Sequence, residues 1–92
     1  MMRSHFRPHL LPAPEAYYQN EGHIFHGNGE WKSTTCPFHA DHRPSLRVRL
    51  ESGSFCCMVC GEKGGDVVAF QQKKYGQDFI EAAKSLGAWE RS

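Results

Sequence analysis

The fold of this chain is decided by two short motifs, Cys36-Pro37-Phe38-His39 and Cys57-Met58-Val59-Cys60. Each motif has two metal-binding side chains with two residues between them, and seventeen residues separate the motifs. A zinc ribbon has this spacing, because each tight turn supplies two ligands and a hairpin brings the turns to one tetrahedral Zn²⁺ ion. The sequence therefore predicts one zinc site with Cys36, His39, Cys57 and Cys60 as its ligands.

The predicted site is closed, since four protein ligands leave no coordination position for water or substrate. We therefore expect a structural zinc ion and not a catalytic one. A disulfide framework would require an oxidising compartment. Pro8 and Pro12 interrupt the only apolar patch near the start of the chain, so no secretory signal is predicted. We expect a cytoplasmic protein.

Two further residues compete for the predicted ligand positions. Cys56 precedes Cys57 directly, and His42 follows His39 by three residues. The two-residue turns favour Cys57 and His39, and Gly61 suits the end of the second turn because glycine tolerates a positive φ. We interpret Cys56 as a strand residue that faces away from the metal and packs as a small hydrophobe.

Length and charge limit the possible partners. The 92 residues allow one domain with a modest core, and a chain this short often depends on a metal for stability. The formal net charge is +1 with neutral thiols; the metal adds two positive charges and three thiolates remove three, so the zinc-bound charge is near zero. Affinity for a polyanion would therefore need a local basic patch. No apolar run approaches the roughly 18 residues of a membrane span, so no membrane partner is expected.

The chain is predicted to have two parts. Residues 1–21 are expected to form a mobile arm with a possible short helix over Pro14–Asn20, since proline is favoured in the first turn of a helix. Within it, Tyr17 and Tyr18 are interpreted as packing residues. Residues 22–92 form the zinc-ribbon domain, which ends in two helices.

The domain begins with predicted antiparallel strands. Residues 23–26 and 30–35 flank a Gly-Asn-Gly turn and predict a hairpin. His23 and His26 are expected to be exposed to solvent. The segment Ser45–Leu50 is the clearest strand, because alternation places Arg47 and Arg49 on one face and its apolar residues on the other. Ser54–Cys57 returns the chain to the metal as its antiparallel partner.

Two helices are predicted after the second motif. Asp66 is a favourable N-cap for a helix over 67–75 that ends at Gly76, and Asp78 begins a capping box for a second helix through Leu86. The preceding residues, 61–65, are interpreted as a flexible connection. Ile80, Ala83 and Leu86 are expected to pack on the ribbon, with Trp89 closing its edge. The predicted fold class is a small α+β zinc ribbon, an antiparallel β-sheet with short flanking helices.

Residues 22–87 resemble the CHC2 zinc-binding domain of bacterial DNA primases. The motifs that carry the resemblance are Cys36-Pro37-Phe38-His39, Arg43-Pro44-Ser45-Leu46, Phe55 to Cys60, Gly64-Gly65-Asp66-Val67 and Asp78-Phe79-Ile80-Glu81-Ala82-Ala83. In that family the module binds single-stranded template DNA and helps to choose where primers start. The resemblance thus implies a role in DNA replication, with the four ligands named above and a basic surface formed by Lys32, Arg43, Arg47 and Arg49. We expect Trp31 or Phe55 to stack a base.

The chain departs from a whole primase because it has no room for an acidic catalytic domain. We therefore expect a stand-alone or excised module without polymerising activity, which works with a primase catalytic subunit or a helicase. A second hypothesis is a zinc-stabilised adaptor that docks on such a partner through exposed Trp89, Tyr75 and Phe79. A thiol redox protein, with reactive Cys57 and Cys60, is the third.

Overall fold

A computed structural model describes residues 4–38 and 44–91. The described chain contains six strands, three α-helices and one 3₁₀ turn. In chain order these are β1 Ser4–Phe6, the 3₁₀ turn Pro8–Leu10, α1 Pro14–Asn20, β2 Trp31–Thr34, β3 Leu46–Arg49, β4 Ser54–Cys57, β5 Lys63–Gly64, α2 Val67–Tyr75, α3 Phe79–Ser85 and β6 Trp89–Arg91. The predicted class, a small α+β fold with an antiparallel sheet, is confirmed. None of the described helices is long and apolar enough to cross a membrane.

The central sheet is antiparallel with strand order β2-β3-β4-β5. Leu46 and Val48 of β3 are fully buried, and they lie opposite Cys57 and Phe55 of β4. The alternation predicted for this strand is confirmed, with Arg47 exposed between them. The hairpin predicted before it is only partly formed, because residues 23–26 contribute a single bridge between His26 and Ser33.

Both C-terminal helices begin at the predicted caps. The Asp66 side chain accepts a hydrogen bond from the Ala69 amide at 2.9 Å, and α2 ends at Gly76 in the left-handed conformation, with φ of 64°. Asp78 and Glu81 form the complete capping box of α3. These ends follow from local side-chain chemistry, which explains why they are readable from sequence.

The core joins α1 and α2 to one face of the sheet. Tyr18 packs edge-on against Phe70, with ring centroids 4.9 Å apart, and its hydroxyl donates to the Gly53 carbonyl at 2.7 Å. The Tyr17 hydroxyl donates to Gln71 Oε1 at 2.7 Å. The packing role predicted for the two tyrosines is confirmed, and α1 has the predicted bounds.

The predicted arm is in contact with the rest of the chain. β1 pairs with β6 as a separate two-stranded antiparallel sheet, and the Arg7 amide donates to the Ala88 carbonyl at 2.7 Å. The mobility of the arm and its boundary at residue 22 stay predictions. Trp89 lies in β6, opposite Phe6, and so belongs to this small sheet and not, as the sequence had predicted, to an edge of the ribbon.

Three smaller expectations are wrong. His23 is only 7% exposed, because its ring packs against Tyr18 and Phe70. Ile80 is 44% exposed, since Ala82 and Ala83 form the buried side of α3 instead. The connection after the second motif contains β5, in which Gly64 pairs with Phe55.

Candidate metal centre and open sheet face

Three of the four predicted metal ligands meet at one end of the central sheet. The thiol sulfurs of Cys36, Cys57 and Cys60 all lie within 4.8 Å of one another, and those of Cys36 and Cys60 are 3.8 Å apart. Cys57 ends β4, Cys60 lies in the turn that follows, and Cys36 lies two residues beyond β2. The strand order therefore brings the two motifs together. His39, the fourth predicted ligand, and its rival His42 lie outside the described residues.

The turn after β4 directs backbone amides at a sulfur. The amides of Val59 and Cys60 donate to Cys57 Sγ at 3.5 and 3.4 Å. The Gly61 amide donates to the Cys57 carbonyl at 3.1 Å, with Gly61 at a φ of 79°. This positive φ is the conformation for which the sequence predicted a glycine.

The thiols have unequal proton affinities. Burial raises the pKa of Cys57, but the Cys60 amide, the Ser45 hydroxyl at 3.6 Å and the Val59 amide outweigh burial and lower that pKa to about 5. Burial raises the pKa of Cys36 to about 12. Without a metal, negative charge therefore collects on Cys57, where hydrogen-bond donors stabilise it.

The thiol cluster fits a tetrahedral zinc ion. With Zn–S bonds of about 2.3 Å, tetrahedral geometry places sulfurs about 3.8 Å apart. The separation between Cys36 and Cys60 has this value. Cys56 does not belong to the cluster among the described residues, which agrees with its interpretation as a strand residue directed away from the metal.

The face of the central sheet opposite the core carries a polar surface that we call the open face. It is formed by Trp31, Arg47, Arg49, Cys56 and Lys63. Arg47 lies opposite Cys56, and Cys56 lies opposite Lys63, so these three form one row across β3, β4 and β5. Trp31 lies opposite Arg49 and is 40% exposed. Lys63 was missed by the sequence analysis because its register with Cys56 depends on the two-residue strand β5.

Two of the predicted nucleic-acid residues do not belong to this face. Phe55 is only 1% exposed and packs edge-on against Phe70, so the prediction that it stacks a base is wrong. Lys32 lies opposite the buried Val48 and therefore on the other side of the sheet. Its ammonium donates to the Gly27 carbonyl at 2.9 Å.

The other two predicted arginines differ from Arg47. Arg49 forms ion pairs with Glu30 and, at 3.3 Å, with Glu51, which offset its charge. Arg43 lies outside the described residues. Arg47 and Lys63 are exposed and are the cations that the open face presents most directly.

Two of the three predicted docking residues, Phe79 and Trp89, lie on either side of Phe6. The ring of Phe79 contacts that of Phe6 with centroids 4.9 Å apart, and Phe6 lies opposite Trp89. We call Phe6, Phe79 and Trp89 the aromatic cluster. The Tyr75 hydroxyl instead donates to Glu21 Oε1 at 2.7 Å, on the side where α2 approaches α1.

A four-stranded antiparallel sheet with flanking helices and a cluster of cysteine thiols at one end defines a zinc-ribbon protein. The family model of the CHC2 zinc finger matches residues 24–90, and the chain belongs to this family. The family and the three-cysteine cluster together identify a structural zinc site.

The relatives include whole primases and a phage protein. The chain is 51% identical over 51 residues to the DNA primase of Mycolicibacterium smegmatis, covering 55% of this chain and 8% of the primase. It is 36% identical over 55 residues to the gene 58 protein of Mycobacterium phage D29, covering 60% of this chain and 42% of that protein.

A solved structure has the same fold. It is the crystal structure of the Aquifex aeolicus primase with its zinc-binding and RNA polymerase domains, matched with a TM-score of 0.65 and 30% identity. The match covers 78% of this chain and 18% of that one. The chain is thus a primase-like zinc module that spans a small part of the primases it resembles.

Proposed function

We propose that this chain is a zinc-stabilised module that binds single-stranded DNA during primer synthesis in DNA replication, without catalytic activity of its own. Its place of action is the cytoplasm. Its membership of the CHC2 family and its similarity to DNA primases support the proposal. The observation that carries it is the open face, where exposed cations and a tryptophan share one side of the sheet.

The open face has the chemistry that single strands require. Arg47 and Lys63 lie in one row and contact phosphates of the strand. Trp31, on the edge strand, stacks an unpaired base, an interaction worth about 1–3 kcal/mol. On the opposite face, α1 and α2 cover the core residues of β3 and β4, so those two strands present no exposed cations there.

In this proposal the zinc ion stabilises the strands that form the open face and does not take part in a reaction. Cys36, His39, Cys57 and Cys60 bind the ion. Since Cys36 follows β2 and Cys57 ends β4, the bound ion ties together the strands on both sides of β3. Four protein ligands leave no site for substrate, which agrees with a binding role.

The test is fluorescence anisotropy of a labelled oligo-dT at several salt concentrations, with zinc content measured on each sample. We expect the double variant Arg47→Ala, Lys63→Ala to bind at least about fivefold more weakly and to lose about 0.7 from the salt slope per phosphate contact removed. Trp31→Ala should weaken binding with little change in slope.

The matched control is Lys84→Ala, which removes a cation from the exposed side of α3. It should bind like the unaltered protein. Arg49→Ala is expected to have a smaller effect than Arg47→Ala, because Glu30 and Glu51 already offset the Arg49 charge. Unchanged affinity and slope in the double variant would overturn the proposal.

The assignment of the fourth ligand has its own test. His39→Ala should release zinc to a chelator much more readily than the unaltered protein, whereas His42→Ala should retain it. The opposite result would transfer the ligand role to His42. Equal retention by both variants would exclude either histidine as a required ligand.

The aromatic cluster supports a second candidate function, that of an adaptor for a primase catalytic subunit or a helicase. Phe79 is 42% exposed although its ring contacts Phe6, and Ile80 beside it is 44% exposed. Exposed apolar side chains that lie together are typical of protein interfaces. In this case Phe79→Ala would weaken capture of the partner and leave binding of oligo-dT unchanged.

A further inference from the structure

A groove of about 480 Å³ lies beside the edge strand β2, on the side away from the open face. Its lining includes Glu15, Gln19, Ile24, Phe25, Lys32 and Leu50. Its volume falls in the range of small-ligand sites, about 300–1,000 Å³. The segment that contains Ile24 and Phe25 runs beside β2, where His26 pairs with Ser33, and forms one wall of the groove.

The groove combines the groups that recognise a nucleotide. The ring of Phe25 is half-buried and stacks on that of His23, with 20° between their planes, so it offers a fixed aromatic surface. Ile24 and Leu50 add apolar contact. Lys32 also lines the groove. Its ammonium donates one hydrogen bond to the Gly27 carbonyl, and this bond orients the group. The other N–H donors of the ammonium are available to a phosphate.

The polar side of the groove has a particular hydrogen-bonding character. Glu15 and Gln19 lie four residues apart on α1, so they share one side of that helix. A carboxylate only accepts hydrogen bonds, whereas a glutamine amide both donates and accepts. Cytosine, adenine and guanine present an exocyclic amino donor, while thymine presents carbonyl oxygens on both sides of its single N–H.

We propose that this groove is a base-reading subsite that accepts one unstacked nucleotide and favours an amino-bearing base over thymine. The proposal rests on the single-strand binding proposed above. Trp31 and Lys32 are consecutive residues of β2 with side chains on opposite faces of the sheet. A DNA strand whose base stacks on Trp31 therefore passes over the adjoining turn, residues 27–29, and places a following nucleotide in the groove.

The first experiment compares binding of oligo-dT with oligomers in which one internal thymine is replaced by cytosine, adenine or guanine. The unaltered protein is expected to prefer the amino-bearing oligomers by about 5- to 10-fold. In the double variant Glu15→Gln, Gln19→Ala this ratio should fall to about one. Both side chains are exposed, so the fold should be retained.

The control for charge alone is Glu62→Gln, which removes a carboxylate that pairs with Lys73 outside the groove. It should keep the preference of the unaltered protein. The proposal is overturned if the unaltered protein shows no preference, or if the double variant retains it.

An NMR titration with dCMP and with dTMP separates this proposal from the one on which it rests. We expect dCMP to shift the amide signals of Glu15, Gln19 and Phe25 at lower concentration than dTMP. Oligo-dT binding with shifts confined to the open face and no base preference would overturn the subsite alone. Groove shifts with dCMP but no oligonucleotide binding would overturn the strand-binding function instead, and the absence of both would overturn both.

Discussion

At Gly64 the backbone of β5 passes so close to the core that no side chain fits. A Cβ atom there would lie 2.6 Å from Phe55 Cε1 and 2.7 Å from the Ala69 methyl group, well inside van der Waals contact. Both neighbours are held in place, Phe55 by the aromatic core and Ala69 by α2. This glycine is needed for close approach between a strand and a helix.

We expect Gly64→Ala to lower the free energy of unfolding by about 1–3 kcal/mol, because overpacking forces the strand and α2 apart. Urea denaturation of the zinc-loaded protein measures this. The neighbouring Gly65→Ala is the control, since a Cβ there would meet open space. Equal effects of the two substitutions would contradict the explanation.

His23 is a second residue whose surroundings have a measurable consequence. Burial lowers its pKa, and the charge of Lys74 lowers it further, against smaller opposing effects of Glu21 and the Thr35 backbone. Its Nδ1 lies 3.2 Å from the Thr34 hydroxyl. The folded protein therefore holds this ring neutral at a pH where the unfolded chain protonates it.

The free energy of unfolding should fall as the pH drops below the ordinary histidine pKa of about 6.5, because the unfolded state then binds a proton that the folded state excludes. In His23→Gln the fall between about pH 7.5 and 5.5 should be smaller than in the unaltered protein. Zinc release at low pH affects both proteins, so the difference between them isolates His23. The exposed His26→Gln should behave like the unaltered protein, and parallel curves for all three would contradict the prediction.

At the scale of elements, the caps determine where the C-terminal helices begin, and a few large aromatic side chains pack α2 against α1 and the sheet. Asp66 caps α2, and Phe70, four residues further on, packs against both Tyr18 and Phe55. α2 thereby connects α1 to the sheet. The start of α2 fixes the position of Phe70 in the core.

Asp66→Ala should lower the free energy of unfolding by about 1 kcal/mol, because the Ala69 amide loses its acceptor. Asp66→Asn retains a side-chain oxygen and should cost much less. Thermal unfolding with zinc present compares the two. A similar loss in both variants would show that the negative charge matters more than the hydrogen bond.

At the scale of the whole molecule, the metal joins segments that are distant in the chain. The thiol cluster connects the end of β2 with the turn after β4, and the strands between them carry the core and the open face. A domain of this length buries only a small apolar core, which by itself gives little stability. We therefore expect folding and zinc binding to be coupled.

Removal of zinc by a chelator should abolish the cooperative thermal transition, and added zinc should restore it. Circular dichroism follows the transition, and elemental analysis should find one zinc per chain. Cys60→Ser should lose the metal, whereas Cys56→Ser should keep it. A chelated protein that still unfolds cooperatively would show that the core is sufficient without zinc.

The sequence by itself determined the features that depend on neighbours in the chain. The spacing of the cysteines, the caps at Asp66 and Asp78 and the alternation around Arg47 follow from turn geometry, local hydrogen bonds and the period of a strand. Each was predicted at its observed position. The family also followed from these local motifs.

Only the tertiary structure decided which side chains share a face and which are buried. Lys63 joins Arg47 through the register of β5 with β4, Lys32 lies on the opposite side, and Phe55 and His23 are enclosed by helices from elsewhere in the chain. These outcomes depend on contacts between residues far apart in sequence. Periodicity shows that a strand has two faces, but the packing of α1 and α2 determines which face is covered and which is open.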